Sequence, residues 1–267
     1  PRLISPIVIK NIKSPNTNFT FSFIKQQRPD FTRSILKTTF FGYNFKSNKN
    51  FTHFFNLMEF SYIKMFNESA DFQEEYLSNQ LTLNQYKDHL ITGSSYTIIY
   101  NNQQVNKLRN HSFIKGKLEM SGLSTSLLAN ILNFEQDNSG KYTLFQNRFT
   151  QYIIGELDFR KYFVINKENI LVLRTYFGVG YPYKNSDQIP AQKQFFGGGT
   201  NGVRAWKPFS LGPGSYNNSE NNIDYFLGDI KLESNIEYRF PLFKLGTYKM
   251  KGAIFLDSGN IWYMQEI

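Results

Sequence analysis

The sequence predicts an all-β chain and, within that class, an antiparallel transmembrane β-barrel. Three observations lead there. Several segments alternate apolar and polar side chains with period two, as a two-sided sheet requires. Aromatics make up 17% of the 267 residues, with 27 Phe and 17 Tyr but only 2 Trp, and such side chains favour the pleated faces of strands. The connections between predicted strands alternate short and long, which is the rhythm of membrane barrels.

Nine strands are predicted, near residues 17–25, 31–44, 51–63, 92–101, 112–122, 149–162, 169–180, 229–241 and 248–258. The alternation is clearest in three of them. Within 112–122, Ile114, Gly116, Leu118 and Met120 oppose Lys115, Lys117 and Glu119. Within 151–160, Ile153, Gly155, Leu157 and Phe159 oppose Glu156, Asp158 and Arg160. Within 231–240, Leu232, Ile236, Tyr238 and Phe240 oppose Lys231, Glu233, Asn235, Glu237 and Arg239. A soluble sandwich alternates too. The membrane reading is favoured because the polar faces carry charges of both signs at consecutive positions, as a wet lumen allows. Ile114, Leu118, Ile153, Leu157, Leu232, Ile236 and Tyr238 are therefore expected to face lipid. Lys115, Lys117, Glu119, Glu156, Arg174, Glu237 and Arg239 are expected to face the lumen.

From the second strand on, the connections 46–50, 102–111, 164–168 and 242–247 are short, whereas 64–91, 123–148 and 181–228 are long. Long loops of this kind belong on the extracellular side. Residues 72–86 could carry a short helix, and so could 124–134 with Leu127, Leu128, Ile131 and Leu132, both packing on the barrel rim. Residues 16–18 and 217–222 are polar loop material.

Composition sets further bounds. No apolar run approaches the roughly 18 to 20 residues of a membrane-spanning helix, which excludes a helical membrane protein. Strands need only about 9 to 11 residues to cross and hide their hydrophobicity by alternating, so a mean hydropathy of −0.43 suits a barrel. The formal charge of +9 raises the possibility of nucleic-acid binding. The positive residues are scattered, however, with no basic cluster or RNP-like motif, and no nucleic-acid partner is expected. The absence of cysteine removes disulfides and thiolate sites. The chain opens Pro-Arg-Leu-Ile with no visible signal peptide, and no linker divides it, so residues 1–267 are expected to form one domain.

Enzyme motifs are missing. Gly197 to Gly199 and Gly202 are followed by Val203-Arg204 rather than the Lys-Ser or Lys-Thr of a phosphate loop. His53, His89 and His111 are far apart in the chain and have no cysteine partners, so no metal site is expected. There is no Gly-x-Ser-x-Gly elbow. Glu74 with Glu75, and Glu156 with Asp158, carry no sign of an acid/base pair. Neither catalytic residues nor a cofactor are expected.

The connection 181–228 is the exception among the loops. It spans 48 positions, far above the usual connection of about 4 to 6 residues. Phe195, Phe196, Val203, Trp206, Phe209 and Leu211 give it apolar mass, and Gly197, Gly198, Gly199, Gly202, Gly212 and Gly214 permit sharp turns. Such a loop should fold back onto something.

Three motifs here resemble a known family. The segment 196–216, FGGGTNGVRAWKPFSLGPGSY, resembles the sixth-loop segment of the BamA/TamA outer-membrane assembly superfamily, also called bacterial surface antigens. The Leu-Gly-Pro-Gly-Ser-Tyr ending is most similar to the TamA-like branch. The family's Val-Arg-Gly-Phe signature stands here as Val203-Arg204-Ala205-Trp206, with Ala for Gly and Trp for Phe. Residues 235–241, NIEYRFP, and 255–262, FLDSGNIW, resemble the two strands that follow.

The resemblance implies a barrel of about sixteen strands, with the loop in the lumen and its arginine against acidic residues of the next two strands. Carried over to this sequence, Arg204 meets Glu237 and Asp257. Strand parity agrees, since Glu237 lies on a polar face and Asp257 shares a face with Lys251 while Ile254 and Leu256 face out. Trp206 is expected to pack beside Arg204 against the wall. The nine strands correspond to the family's fifth through thirteenth, so the chain is expected to be a partial barrel domain without periplasmic POTRA domains. The implied function is non-enzymatic help in inserting or translocating proteins or envelope components. Its implied partners are outer-membrane lipid, client membrane or secreted proteins, and periplasmic or outer-membrane accessory proteins. A porin or secretion pore is the alternative within the membrane class. A soluble β-sandwich or barrel binding a ligand or nucleic acid is the alternative outside it.

Overall fold

The computed structural model of the protein describes residues 13–70, 86–104, 107–145, 147–215 and 226–264. Nine long strands form one antiparallel sheet: β1 (Lys13–Gln27), β2 (Thr32–Lys46), β3 (Phe51–Phe66), β4 (His89–Asn101), β5 (His111–Ser121), β8 (Tyr152–Val164), β9 (Ile170–Pro182), β10 (Ile230–Leu245) and β11 (Tyr248–Trp262). Their order in the sheet is their order in the chain. Between β5 and β8 the chain makes a helix, α1 (Leu123–Leu132), and a small hairpin of β6 (Thr143–Leu144) and β7 (Asn147–Arg148).

All nine expected strands are present, most of them longer than the alternation indicated. Ladder pairing uses backbone groups, so strands continue through polar residues such as Asn16 and Lys46 that carry no apolar signal. The hairpin β6–β7 was not expected. The proposed helix at 72–86 and the polar run 217–222 fall outside the described residues, apart from Tyr86.

The chain forms two compact units. The first comprises residues 1–97, 118–154 and 180–193. Its register sets two faces apart. Phe21 pairs with Thr38 and Phe23 with Leu36, and these in turn pair with Phe60 and Tyr62, so all six share one face. Phe21 and Phe23 are exposed there. Glu59, one position out of phase with Phe60, accepts hydrogen bonds from Ser95 Oγ at 2.7 Å and Asn56 Nδ2 at 2.6 Å. Glu119 is buried on β5, paired with Lys193 Nζ at 2.5 Å and accepting from Tyr152 Oη at 2.8 Å.

Helix α1 forms where its sequence period indicated, but its apolar residues point the other way. Gly122 precedes it with φ of 75°, and Asn133, also left-handed, closes it. Thr125 and Ala129 are its buried residues, and Ala129 packs with Leu90 and Phe149. Leu127, Leu128, Ile131 and Leu132 are exposed. Small side chains win the inward face because they let the helix backbone come close to β4, where the Thr92 and Thr125 hydroxyls meet at 2.5 Å.

The second unit comprises residues 98–117, 155–179 and 194–267. Here the burial pattern is the reverse of a soluble core. Leu232 is 46% exposed while its neighbour Glu233 is 1% exposed, and Ile236 and Tyr238 are exposed while Asn235 is buried. On β8, Leu157 and Phe159 are exposed and Asp158 is buried. Buried charge is tolerated when it is paired. Asp158 meets Arg160 at 2.7 Å and Arg174 at 3.3 Å, and Glu156 meets Lys117 at 3.3 Å. A sheet with charges inside and aliphatic residues outside suits a wet lumen surrounded by lipid, and it overturns the soluble reading.

A loop docked on the polar face of β9 to β11

Sheet register builds the receiving surface. Asn235 lies opposite Asp257 and Glu237 opposite Phe255 in the β10–β11 ladder. Since i and i+2 share a face, these four side chains form a square on the polar face. Arg174, opposite Asn235 on β9, extends it by one strand.

Arg204 occupies this square. Its Nε donates to Asp257 Oδ2 and its Nη2 to Asp257 Oδ1, both at 2.8 Å, a two-point fork. Nη1 donates to Glu237 Oε2 at 2.5 Å, and the backbone N–H of Arg204 reaches Asp257 Oδ2 at 3.1 Å. The guanidinium carbon lies 3.6 Å from the centre of the Phe255 ring, so a π face closes the site from one side. Hydrogen bonding to Asp257 raises the Arg204 pKa further above its ordinary value. This is a planar cation held by planar partners, a geometry that lysine cannot reproduce.

The loop backbone is held as well. Asn235 Nδ2 donates to Gly202 O at 3.0 Å and to Asp257 Oδ1 at 2.8 Å. Arg174 Nη1 donates to Asn201 O at 2.8 Å and to Asn235 Oδ1 at 3.0 Å. Lys231 Nζ donates to Phe196 O at 2.7 Å and pairs with Glu233 at 2.9 Å. Phe195 exchanges two backbone bonds with Gly228, and its ring lies over Gly178.

Of the six glycines expected to turn the loop, Gly198, Gly199, Gly212 and Gly214 adopt positive φ, and Gly197 and Gly202 do not. Gly202 is required for closeness instead: a Cβ there would lie 2.5 Å from Glu233 Oε1 and 3.0 Å from Gly198 O. At Gly198 both reasons apply, with φ of 85° and a Cβ position 2.2 Å from Lys207 O.

Val203, Arg204, Ala205 and Trp206 form a tight turn closed by Trp206 N–H to Val203 O at 3.1 Å. Val203 is buried and Arg204 reaches the sheet, but Trp206 is 49% exposed. The expectation that Trp206 packs beside Arg204 is therefore corrected. Trp206 is half in solvent, and the ring against the guanidinium is that of Phe255. Phe255, Asn235, Arg174 and Lys231 were not singled out as loop contacts from the sequence. Phe255 could have been, since it lies two residues before Asp257 and so on its face. Among the described residues no group of three or more His, Asp or Glu side chains has the geometry of a metal site.

The Omp85 superfamily domain matches residues 10–266, nearly the whole chain. The chain belongs to the Omp85 superfamily. A curated relative, the outer membrane protein assembly factor BamA of Neisseria meningitidis serogroup B (strain ATCC BAA-335 / MC58), is 28% identical over 102 residues, which are 38% of this chain and 13% of that protein. The crystal structure of BamA from Haemophilus ducreyi lacking POTRA domains 1-3 is similar in fold, with a TM-score of 0.58 at 15% identity, over 93% of this chain and 46% of that one. The chain thus spans about half the length of that solved relative. As an Omp85 domain its place is the bacterial outer membrane, and the exposed apolar face of its sheet is the face that meets lipid.

Proposed function

We propose that this Omp85 domain is part of the barrel of a factor that assists insertion or translocation of proteins or envelope components, without bond chemistry of its own. The docked loop is the observation that carries the reading. Arg204, Asp257, Glu237 and Phe255 commit a long connection to the polar face of the sheet, where it braces three consecutive strands, β9 to β11. Membership in the superfamily and the likeness to a named assembly factor support the same role. Its partners would be outer-membrane lipid, client membrane or secreted proteins, and accessory proteins. The TamA-like branch is supported by the sequence run Leu211-Gly-Pro-Gly-Ser-Tyr216 alone.

The test is folding of a urea-unfolded outer-membrane barrel into vesicles that contain the full-length protein, followed by heat-modifiable gel migration. Folding faster than into empty vesicles is expected. Equal rates, together with steady ion conductance through the protein, would replace this reading with a pore.

A further inference from the structure

We propose that α1 is a lipid-immersed helix: its exposed face sits among the acyl chains of the outer membrane rather than in water or against another protein.

The side of the sheet on which α1 rests comes from register. Phe60 and Tyr62 share a face with Phe21 and Phe23, the exposed apolar face of β1 to β3. Phe60 and Tyr62 also pack against the cluster of Leu90, Ala129 and Phe149, and Ala129 belongs to α1. The helix therefore lies over the lipid-contacting face of the wall, opposite the face that holds Glu59. Leu118 and Ile153 are exposed on the strands that lead into and out of this excursion, so the apolar surface continues onto it.

The composition of the helix fits that place. Leu123, Leu127, Leu128, Ile131 and Leu132 recur at spacings of three and four, forming one stripe. They are 50% to 73% exposed, and nothing in the ten residues carries charge. A water-facing helix would carry polar residues along this stripe, and a charged partner would find nothing to pair with. The charges of the excursion come later: Arg148 pairs with Asp137 and Lys141 with Asp187 at 3.0 Å, and Glu135 is exposed. Phe145, at the tip of the β6–β7 hairpin, adds a further exposed ring. An apolar segment followed by a polar, charged one is the order met on passing from hydrocarbon toward water. Immersion of α1 would fix the depth at which the adjoining ends of β5 and β8 stand in the bilayer.

These 267 residues contain no cysteine, so single positions within them can be labelled once any cysteine elsewhere in the full-length protein is replaced by serine. Ile131→Cys, Leu128→Cys and Asn138→Cys of the full-length protein would carry a nitrobenzoxadiazole probe in phosphatidylcholine vesicles, with Ile153→Cys on the outward face of β8 as the lipid reference. Lipids brominated in the acyl chain are expected to quench positions 128 and 131 at least twofold, as at 153, while aqueous iodide quenches only position 138. Iodide quenching at 128 and 131 equal to that at 138 would overturn the proposal in favour of a water-exposed face. Protection from both quenchers would overturn it in favour of a covering protein. Either result, with position 153 still quenched by lipid, refutes the helix proposal and leaves the membrane assignment of the sheet intact.

Discussion

Replacing Arg204 by alanine removes three side-chain hydrogen bonds to carboxylates and the contact with Phe255, and the size of the effect can be worked from what stays behind. Hydrogen bonds to charged groups contribute about 1.5 to 3 kcal/mol each, and they do not add. Asp257, whose side chain is 5% exposed, would keep only Asn235 and the backbone N–H of residue 204, whereas Glu237 would keep Arg239. Breaking a dry buried pair costs about 3 to 5 kcal/mol. Here the Arg204 side chain is 21% accessible and both acids retain donors, which places the loss at about 2 to 3 kcal/mol of loop docking. That corresponds to a fall of about 30- to 150-fold in the ratio of docked to undocked loop. Arg204→Lys keeps the charge and loses the fork, so about half of that free energy should go. Amide hydrogen exchange measures this directly at Gly202 and Phe209, whose N–H groups bond within the loop to Gly199 O and Gly197 O. Protection at both should drop by the stated factor, with strand amides of β10 unchanged. A change of less than about threefold in Arg204→Ala would refute the reasoning, since the loop would then be held by something other than this cation.

Gly202→Ala should undock the loop as Arg204→Ala does, because the added methyl group meets the Glu233 carboxylate and Gly198 O, and exchange at Phe209 would report it. Phe255→Leu should weaken docking by about 1 kcal/mol through loss of the ring face, whereas Trp206→Ala should change it by less than about 0.5 kcal/mol because that side chain is half in solvent; the two are compared in the same exchange experiment. Ile236→Arg places a charge on the lipid face of β10 and should cost about 2 to 4 kcal/mol if the position lies near the bilayer centre, read from urea titration of refolding into vesicles.

Much of this fold was legible because a sheet that is polar on one side and apolar on the other writes its register into the sequence. The runs at 112–122, 151–160 and 231–240 fixed the facing of Glu119, Asp158 and Glu233, and each of these acids is buried with a cation beside it. Arg204 with Glu237 and Asp257 was legible through family resemblance and strand parity together. What escaped depended on relations between strands. Arg174 opposite Asn235 follows from which residue faces which across a ladder, and one strand's alternation does not contain that information. The facing of α1 escaped for another reason. Period alone located its apolar stripe, but which side turned toward the protein was decided by Thr125 and Ala129 being small enough for close approach.

Under the proposed function, the docked loop is what the barrel needs in order to work. The direct measurement is the rate at which the full-length protein in vesicles folds an unfolded outer-membrane barrel, set beside loop protection for the native protein, Arg204→Lys, Arg204→Ala and Asp257→Asn. Rates that fall in step with protection, lowest for Arg204→Ala and with the barrel itself still folded, are expected. Native rates in Arg204→Ala with its loop protection lost would contradict the claim.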